Sequence, residues 1–198
     1  MLNSKERIAL FIDGDNLYGT LSYLGWQVDF TKLRELLAAD CAIYNCFYYT
    51  SWEEDTKKRN FAIFLLNNGF TVRRREQQRI QKSGREVAVK GDTDIIMAMD
   101  MMLTKRNFDI AVLVTGDGDF VPVIEYLRLH GKRIIAVSSK FESAAIDLVN
   151  SVDKFIDLAE IRKLIERVMP AYIRKEEPPS KKKEEEDEDE EDEEGDEE

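Results

Sequence analysis

The sequence predicts an α/β protein: a mainly parallel sheet covered by helices on both faces. Three observations carry that expectation. Apolar runs of strand length alternate with longer helical segments along most of the chain. The runs are rich in β-branched and aromatic residues, as in "AIYNCFYY" from Ala42 to Tyr49. Two of them, "ALFIDGDN" and "AVLVTGDGDF", end in nearly the same acidic turn, at the carboxyl end where such sheets place their ligand sites.

Element by element, Ile8–Ile12 reads as the first strand. Helical text follows over Leu17–Leu24 and, after the break at Gly25, over Leu33–Ala39. Ala42–Tyr49 is the second strand. "EEDTKKRNFAIFLLNNG" is a helix with charged residues first, apolar residues inward and Gly69 to close it. Phe70–Arg75 and Glu86–Lys90 read as short strands around the turn "KSG" at Lys82–Gly84. Thr93–Lys105 is a helix, apolar nearly all round and therefore expected to be well buried. Ile110–Thr115 is a strand, Phe120–His130 a helix ended by Gly131, and Arg133–Ser138 another strand. A short helix near Ser143–Asn150 and a terminal one near Leu158–Val168 complete the pattern.

The chain has 198 residues, enough for one ordinary domain and an appendage. From Glu176 the text is "EEPPSKKKEEEDEDEEDEEGDEE", with sixteen acids, three lysines and no large apolar residue. Such a stretch cannot bury enough surface to offset its ordering entropy. We therefore expect one domain over residues 1–170 and a disordered acidic tail over 171–198. The whole chain carries −11 and the segment from Glu176 carries −13, so residues 1–175 carry +2. The acidic balance thus belongs to the tail and does not argue against a nucleic-acid partner for the domain. Two cysteines, Cys41 and Cys46, suit neither a disulfide framework nor a zinc site and read as reduced and buried. With no signal peptide and no apolar run of spanning length, a soluble cytoplasmic protein with no membrane contact is expected.

The acids carry the chemistry. Carboxylates gathered at one place repel, and a hard divalent cation with oxygen ligands, Mg²⁺ or Mn²⁺, removes the repulsion. Asp13, Asp117 and Asp119 are placed for such a cluster by the two strand-end turns. A fourth candidate, Asp94, opens the helix "DTDIIMAMD", where helix capping explains it equally well; capping is the better account of Asp92. Asp100 lies about 240° around that helix from Asp94, so both cannot face one small site. It reads as a structural polar residue. The single histidine, His130, sits at a helix end as a cation would. With His130 accounted for in this way, no other histidine is left for a nucleophile–imidazole triad, which leaves metal-activated water as the route for any hydrolysis.

Basic residues gather in "RRREQQRIQKSGREVAVK": Arg73, Arg74, Arg75, Arg79, Lys82, Arg85 and Lys90. A solvated hairpin accounts for some of them, but three consecutive arginines also suit a phosphate chain.

"FIDGDN", "KGDTDIIMAMDM" and "LVTGDGDFVPVIEYLRLHGKRIIAV", in that order, resemble the NYN domain of the LabA-like group, within the PIN-like ribonuclease fold. The resemblance spans roughly residues 5–160. It implies a three-layer α/β/α sandwich of Rossmann-like type and an acidic, metal-dependent site for cutting RNA internally. Its first-strand Asp falls on Asp13 with Asn16 beside it, its helix Asp on Asp94, and its last pair on Asp117 and Asp119 with Thr115 before them. Asp13, Asp94, Asp117 and Asp119 would then hold Mg²⁺ or Mn²⁺, with Asn16 and Thr115 orienting ligands or water behind them. The basic residues would hold the RNA backbone.

Two other readings compete. A non-catalytic RNA-binding or regulatory module could keep the same acids. A haloacid-dehalogenase-type phosphatase would use Asp13 and Asp15 as its Asp-x-Asp pair and Lys90 as its lysine. That reading lacks the Gly-Thr usual after the second Asp, and leaves the "KGDTD" helix and the arginines without a role. The sequence does not set the oligomeric state, and a homodimer stays open.

Overall fold

The computed structural model describes residues 6–51, 56–75, 93–140 and 142–168, and, as backbone, 78–82 and 85–89. The first strand, β1 (Arg7–Asp13), is buried along almost its whole length and lies in the middle of the sheet. It leads through α1 (Gly14–Leu24) and α2 (Phe30–Ala38) to β2 (Ala42–Ser51), then through α3 (Thr56–Asn67) to β3 (Thr71–Arg75). After β4 (Gln78–Lys82) and β5 (Arg85–Val89), α4 (Asp94–Thr104) returns the chain to β6 (Ile110–Val114). A 3-10 turn at Gly118–Phe120, α5 (Val121–Leu129), β7 (Arg133–Ser138), α6 (Ile146–Ser151), β8 (Lys154–Asp157) and α7 (Leu158–Ile165) follow.

Among the described residues the main sheet has six strands in the order β3-β2-β1-β6-β7-β8, every pair parallel. The three-layer α/β architecture expected from the sequence is therefore present. Its two cores identify the layers. Leu17, Leu21, Leu33, Leu37, Leu65, Leu158 and Ile165 bring α1, α2, α3 and α7 onto one face. Met97, Met101, Val123, Ile124, Leu127 and Leu148 bring α4, α5 and α6 onto the other. Strands buried on both sides read as continuous apolar runs rather than alternating ones, which is the pattern of "IALFI" and "IAVLV".

The chain runs outward from β1 to β3 on one side, then resumes at β6 on the other side of β1 and runs outward to β8. The strand order reverses between β1 and β6. Their carboxyl ends open the crevice in which sheets of this class bind ligands.

Several local expectations need correction. The basic segment forms three strands rather than two: β3 joins the main sheet beside β2, while β4 and β5 pair antiparallel as a separate hairpin. Gln78–Lys82 lacks the apolar alternation that would have marked it. The four-residue β8 was also missed, being too short to stand out from the helix after it. The helix α4 is not buried all round. Met97 and Met101 face the core, but Ile95, Met99, Met102 and Leu103 lie on the opposite side and are exposed. A helix with apolar residues at every angle can bury only the side that meets the sheet.

Candidate active site at the carboxyl edge

Four of the six strands of the main sheet change character at the carboxyl end. Apolar runs give way to Asp13 on β1, Thr50 and Ser51 on β2, Thr115 after β6, and Ser138 and Ser139 at the end of β7. Asp13, Thr115, Ser138 and Ser139 are all buried. Burying a polar side chain costs free energy unless it finds partners, so the bonds among these residues define what the edge can do.

The centre is a relay through one hydroxyl. The register Ile12↔Val114 brings Asp13 and Thr115 side by side. Thr115 Oγ1 donates to Asp13 Oδ2 at 3.2 Å and accepts the Asp117 backbone N–H at 3.2 Å. Asp13 Oδ1 accepts the Asn16 N–H at 3.1 Å, capping α1. Asn16 Oδ1 reaches across the crevice and accepts the Gly116 N–H at 3.0 Å. Asp117 Oδ1 accepts the Asp119 N–H at 2.9 Å, capping the 3-10 turn. Asp13, Asn16, Thr115 and Asp117 thus form one connected network, and each acid satisfies backbone donors at the start of the helical turn that leaves its strand.

Two glycines make the close approach geometrically possible. A Cβ on Gly14 would stand 2.3 Å from the Tyr48 ring, and one on Gly116 would stand 2.1 Å from the Ser143 carbonyl oxygen. The Ala145 N–H donates to the Gly116 carbonyl at 2.8 Å, so the loop after β7 clasps this turn while Ser138 and Ser143 share a 2.8 Å hydroxyl contact behind it.

Asp94 is the first residue of α4, and the preceding Thr93 makes no side-chain cap bond. The helix runs from the carboxyl edge down to the amino edge, where Arg7 Nη1 donates to the Arg106 carbonyl. Asp94 therefore opens at the same edge as Asp13. Asp119 is exposed and lines a groove with Pro122, Glu125, Asp147 and Asn150, turned toward α5 and α6. Among the described residues, no three His, Cys, Asp or Glu side chains come close enough to hold a metal ion by themselves. The four acids share an edge without forming a ready-made cage. What is present fits the way Mg²⁺ usually binds, with one or two carboxylates and the remaining positions left to water and substrate phosphate. Asp13 and Asp117, bridged by Thr115, are two carboxylates that could serve in that way.

Asp15 has another task. Its Oδ1 accepts from Thr50 Oγ1 at 3.0 Å, and its Oδ2 accepts from the Ser51 N–H at 3.1 Å and Ser51 Oγ at 2.7 Å. It ties the start of α1 to the end of β2. An acid–base role as in the phosphatase reading would require it to release these bonds. Asp100, whose partner the sequence did not name, accepts from Arg73 Nε at 3.0 Å and from the Tyr49 hydroxyl at 3.1 Å. Burial and the neighbouring Asp100 carboxylate together push the Tyr49 hydroxyl far above the usual phenol range. His130 packs against Tyr126 at the end of α5, the ring planes tilted by 43°, and its Nδ1 lies 2.7 Å from the Tyr126 carbonyl. Cys41 and Cys46 are free, and burial pushes the Cys46 thiol up to about 12, so it is unreactive.

The basic run divides. Arg73 is level with Asp13, since both pair with Tyr49 across β2. Its guanidinium is engaged by Asp100 on the α4 side. Strand alternation sends Arg74 to the opposite face and Arg75 back to the α4 side. Two strand spacings, about 9.6 Å, separate β3 from β1. The side chains of Arg79, Lys82 and Arg85, and all of Lys90 and Asp92, lie outside the described residues.

These motifs match a known family over most of the domain. A family profile described as the NYN domain matches residues 7–161. The chain belongs to the NYN domain family. It is 32% identical over 166 residues to the low amplitude and bright protein LabA of Synechococcus elongatus, covering 82% of this chain and 89% of that one. An uncharacterised protein of Methanocaldococcus jannaschii is 28% identical over 181 residues, covering 87% of this chain and 66% of that protein. The crystal structure of a Vibrio parahaemolyticus protein of unknown function superposes with a TM-score of 0.70 at 24% identity, covering 80% of this chain and 96% of that one, a likeness of fold. The six-stranded parallel sheet is consistent with the PIN-like architecture, and membership in the NYN family supports a nuclease-type function directed at RNA. No helix among the described residues is long and apolar enough to cross a membrane.

The sequence did not single out Thr50, Ser51, Ser138 and Ser143. The signal was available: each apolar strand ends in a hydroxyl or acid, and in a parallel sheet those ends share one edge.

Proposed function

We propose that this NYN domain is a ribonuclease that hydrolyses RNA phosphodiester bonds at the crevice between β1 and β6, in the cytoplasm. The observation that carries the reading is the network Asn16–Asp13–Thr115–Asp117 at the switch point of the sheet, on residues that the family motifs also single out. Asp13 and Asp117, with Asp94 and Asp119 at the same edge, are the carboxylates that would hold Mg²⁺ or Mn²⁺. When bound, that ion supplies a Lewis acid for the phosphoryl oxygens and lowers the pKa of a water. Thr115 and Asn16 fix the directions of the acids, which is the office of outer-shell partners. Arg74 and Arg75, one to two residues beyond the level of Asp13, two strands away and on opposite faces of the sheet, would meet the RNA backbone from either side, with Arg79, Lys82, Arg85 and Lys90 following in sequence. Free cysteines and the lack of a membrane-crossing helix among the described residues support the location.

The test is incubation of the full chain with mixed single- and double-stranded RNA in Mg²⁺, in Mn²⁺ and in chelator, beside Asp117→Asn. Cleavage that needs the ion and disappears in Asp117→Asn is expected. A variant that cuts as fast as the parent refutes the assignment. One observation favours a second reading, a non-catalytic RNA-binding module: no three acids converge into a metal cage among the described residues. RNA binding without cleavage under every ion condition would establish that reading instead.

A further inference from the structure

Tyr18 is 75% exposed, although it lies in the second turn of a helix that begins at the site. The next residue, Gly19, is also exposed and sits mid-helix, where glycine costs about 0.5–1 kcal/mol relative to alanine. Nothing in the fold requires it there. A Cβ at Gly19 would meet no atom within 4 Å, and its φ is not positive. A glycine with no structural reason beside an outward-facing aromatic leaves a flat, open shelf on the surface of α1.

Helix geometry locates the shelf. Asn16 and Tyr18 are about 200° apart around α1, on opposite flanks of the buried Leu17. Asn16 bonds Gly116, so its flank faces β6. Tyr18 takes the other flank, that of Asp15, its neighbour three residues back. Asp15 reaches Thr50 and Ser51 at the end of β2, whose register partners are Arg74 and Arg75. Tyr18 lies about 6 Å along the axis from Gly14 and its side chain leans back toward the helix start. It therefore overlooks the stretch between the acidic crevice and Arg74.

We infer that Tyr18, with the open backbone at Gly19, is a stacking platform for one base of a single-stranded RNA whose backbone runs from the crevice toward Arg74, on the same face of the sheet. The inference rests on the ribonuclease reading and specifies its substrate as single-stranded. A base within a strand can stack on a ring only when it is out of a duplex, and such stacking is sequence-tolerant because every base has a π-face. Gly19 keeps clear the space that the far edge of the base occupies.

The experiment uses the full chain and a 12-nucleotide RNA carrying 2-aminopurine at one position at a time, titrated in chelator with probe integrity checked on a gel. One position should be quenched in the parent and in Tyr18→Phe, and not in Tyr18→Ala. Tyr18→Ala should weaken binding about 5- to 150-fold, the range for losing one stacked base, with an unchanged melting temperature. An abasic nucleotide at the quenched position should weaken the parent and leave Tyr18→Ala unaffected. Gly19→Val should weaken binding without loss of stability. Equal affinity and quenching in Tyr18→Ala, in a parent that binds and cuts RNA, overturns the platform alone. A parent that binds duplex as tightly as single strand overturns the substrate class. A parent that neither binds nor cuts RNA overturns the ribonuclease reading and the platform with it.

Discussion

Thr115→Val tests the network at its narrowest point. The exchange keeps the shape and removes one hydroxyl, at a position only 1% exposed. That hydroxyl makes two bonds, one given to the Asp13 carboxylate and one taken from the Asp117 N–H. Loss of a bond to a charged group costs about 1.5–3 kcal/mol, and an orphaned buried N–H about 1–3 kcal/mol. The N–H bond is at the long end of its range, the O–H bond is longer than its range, and the two share an atom, so we take about 2–4 kcal/mol for the pair rather than the full sum. For a domain of this size that is a fall of roughly 5–15 °C in melting temperature. Thr115→Ser keeps both bonds and loses a methyl group, about 1 kcal/mol. Denaturant melts of the three proteins, with RNA cleavage measured on the folded fraction, give the comparison. Valine should be the less stable and should lose cleavage, and serine should keep it. A valine variant as stable and as active as the serine variant would show that the hydroxyl joins nothing of consequence.

Asp15→Asn should cost about 1–3 kcal/mol, because its bonds to Thr50 and Ser51 weaken, yet leave RNA cleavage per folded molecule unchanged; hydrolysis of a small aryl phosphate that this variant abolishes would revive the phosphatase reading. Hydrogen bonds from Arg7 pull the Asp109 carboxyl down to about 2, so the pair contributes above the ordinary carboxylate range near 3.9 and loses its contribution as pH falls through about 2. Urea melts of Asp109→Asn should accordingly differ from the parent at pH 5–7 and converge with it near pH 2. Replacing Arg74 and Arg75 by alanine should flatten the slope of log affinity against log salt by about 1.4, at roughly 0.7 for each phosphate contact. Deleting residues 176–198, with their net −13, should tighten RNA binding below about 20 mM salt and have little effect where screening is strong.

The layered fold was legible because helices and parallel strands leave different periods in the sequence. β1 and β6, buried on both faces, read plainly, whereas β4 and β8 did not, having too few apolar residues to carry a period. For α4 the composition misled: "DIIMAMDMML" is apolar at every angle, and only the tertiary structure decides that Met97 and Met101 are the ones covered. At the site, Asp13, Thr115 and Asp117 were legible as motif residues, and the topology explains why they meet. The partners of Asp15 and Asp100 were not legible, because both pairings join residues more than 25 positions apart through strand register. Neither was the division of the arginines between the two faces, although strand alternation would have given it once β3 was assigned to the sheet.

The structure also changes what a metal would contribute to stability. Four acids gathered at one edge would be expected to repel. The fold offsets part of that repulsion by itself. Asp13 caps α1 and Asp117 caps the 3-10 turn, so each carboxylate sits where unsatisfied backbone N–H groups and the positive end of a helix favour negative charge. The Thr115 hydroxyl supplies a further donor to Asp13, and Asp119 is turned outward to solvent. The acids therefore belong to the folding of the helical turns before they belong to any ligand. It follows that chelator should leave the domain folded and cooperative. Mg²⁺ or Mn²⁺ should raise its melting temperature only by mass action, about 2.7 kcal/mol at a hundred times the dissociation constant. Asp13→Asn should lower stability in chelator as well as in metal, because the cap weakens in both. A variant with full stability in chelator that loses only the metal-dependent gain would mean that Asp13 acts as a ligand alone, and that the capping bond to Asn16 contributes nothing.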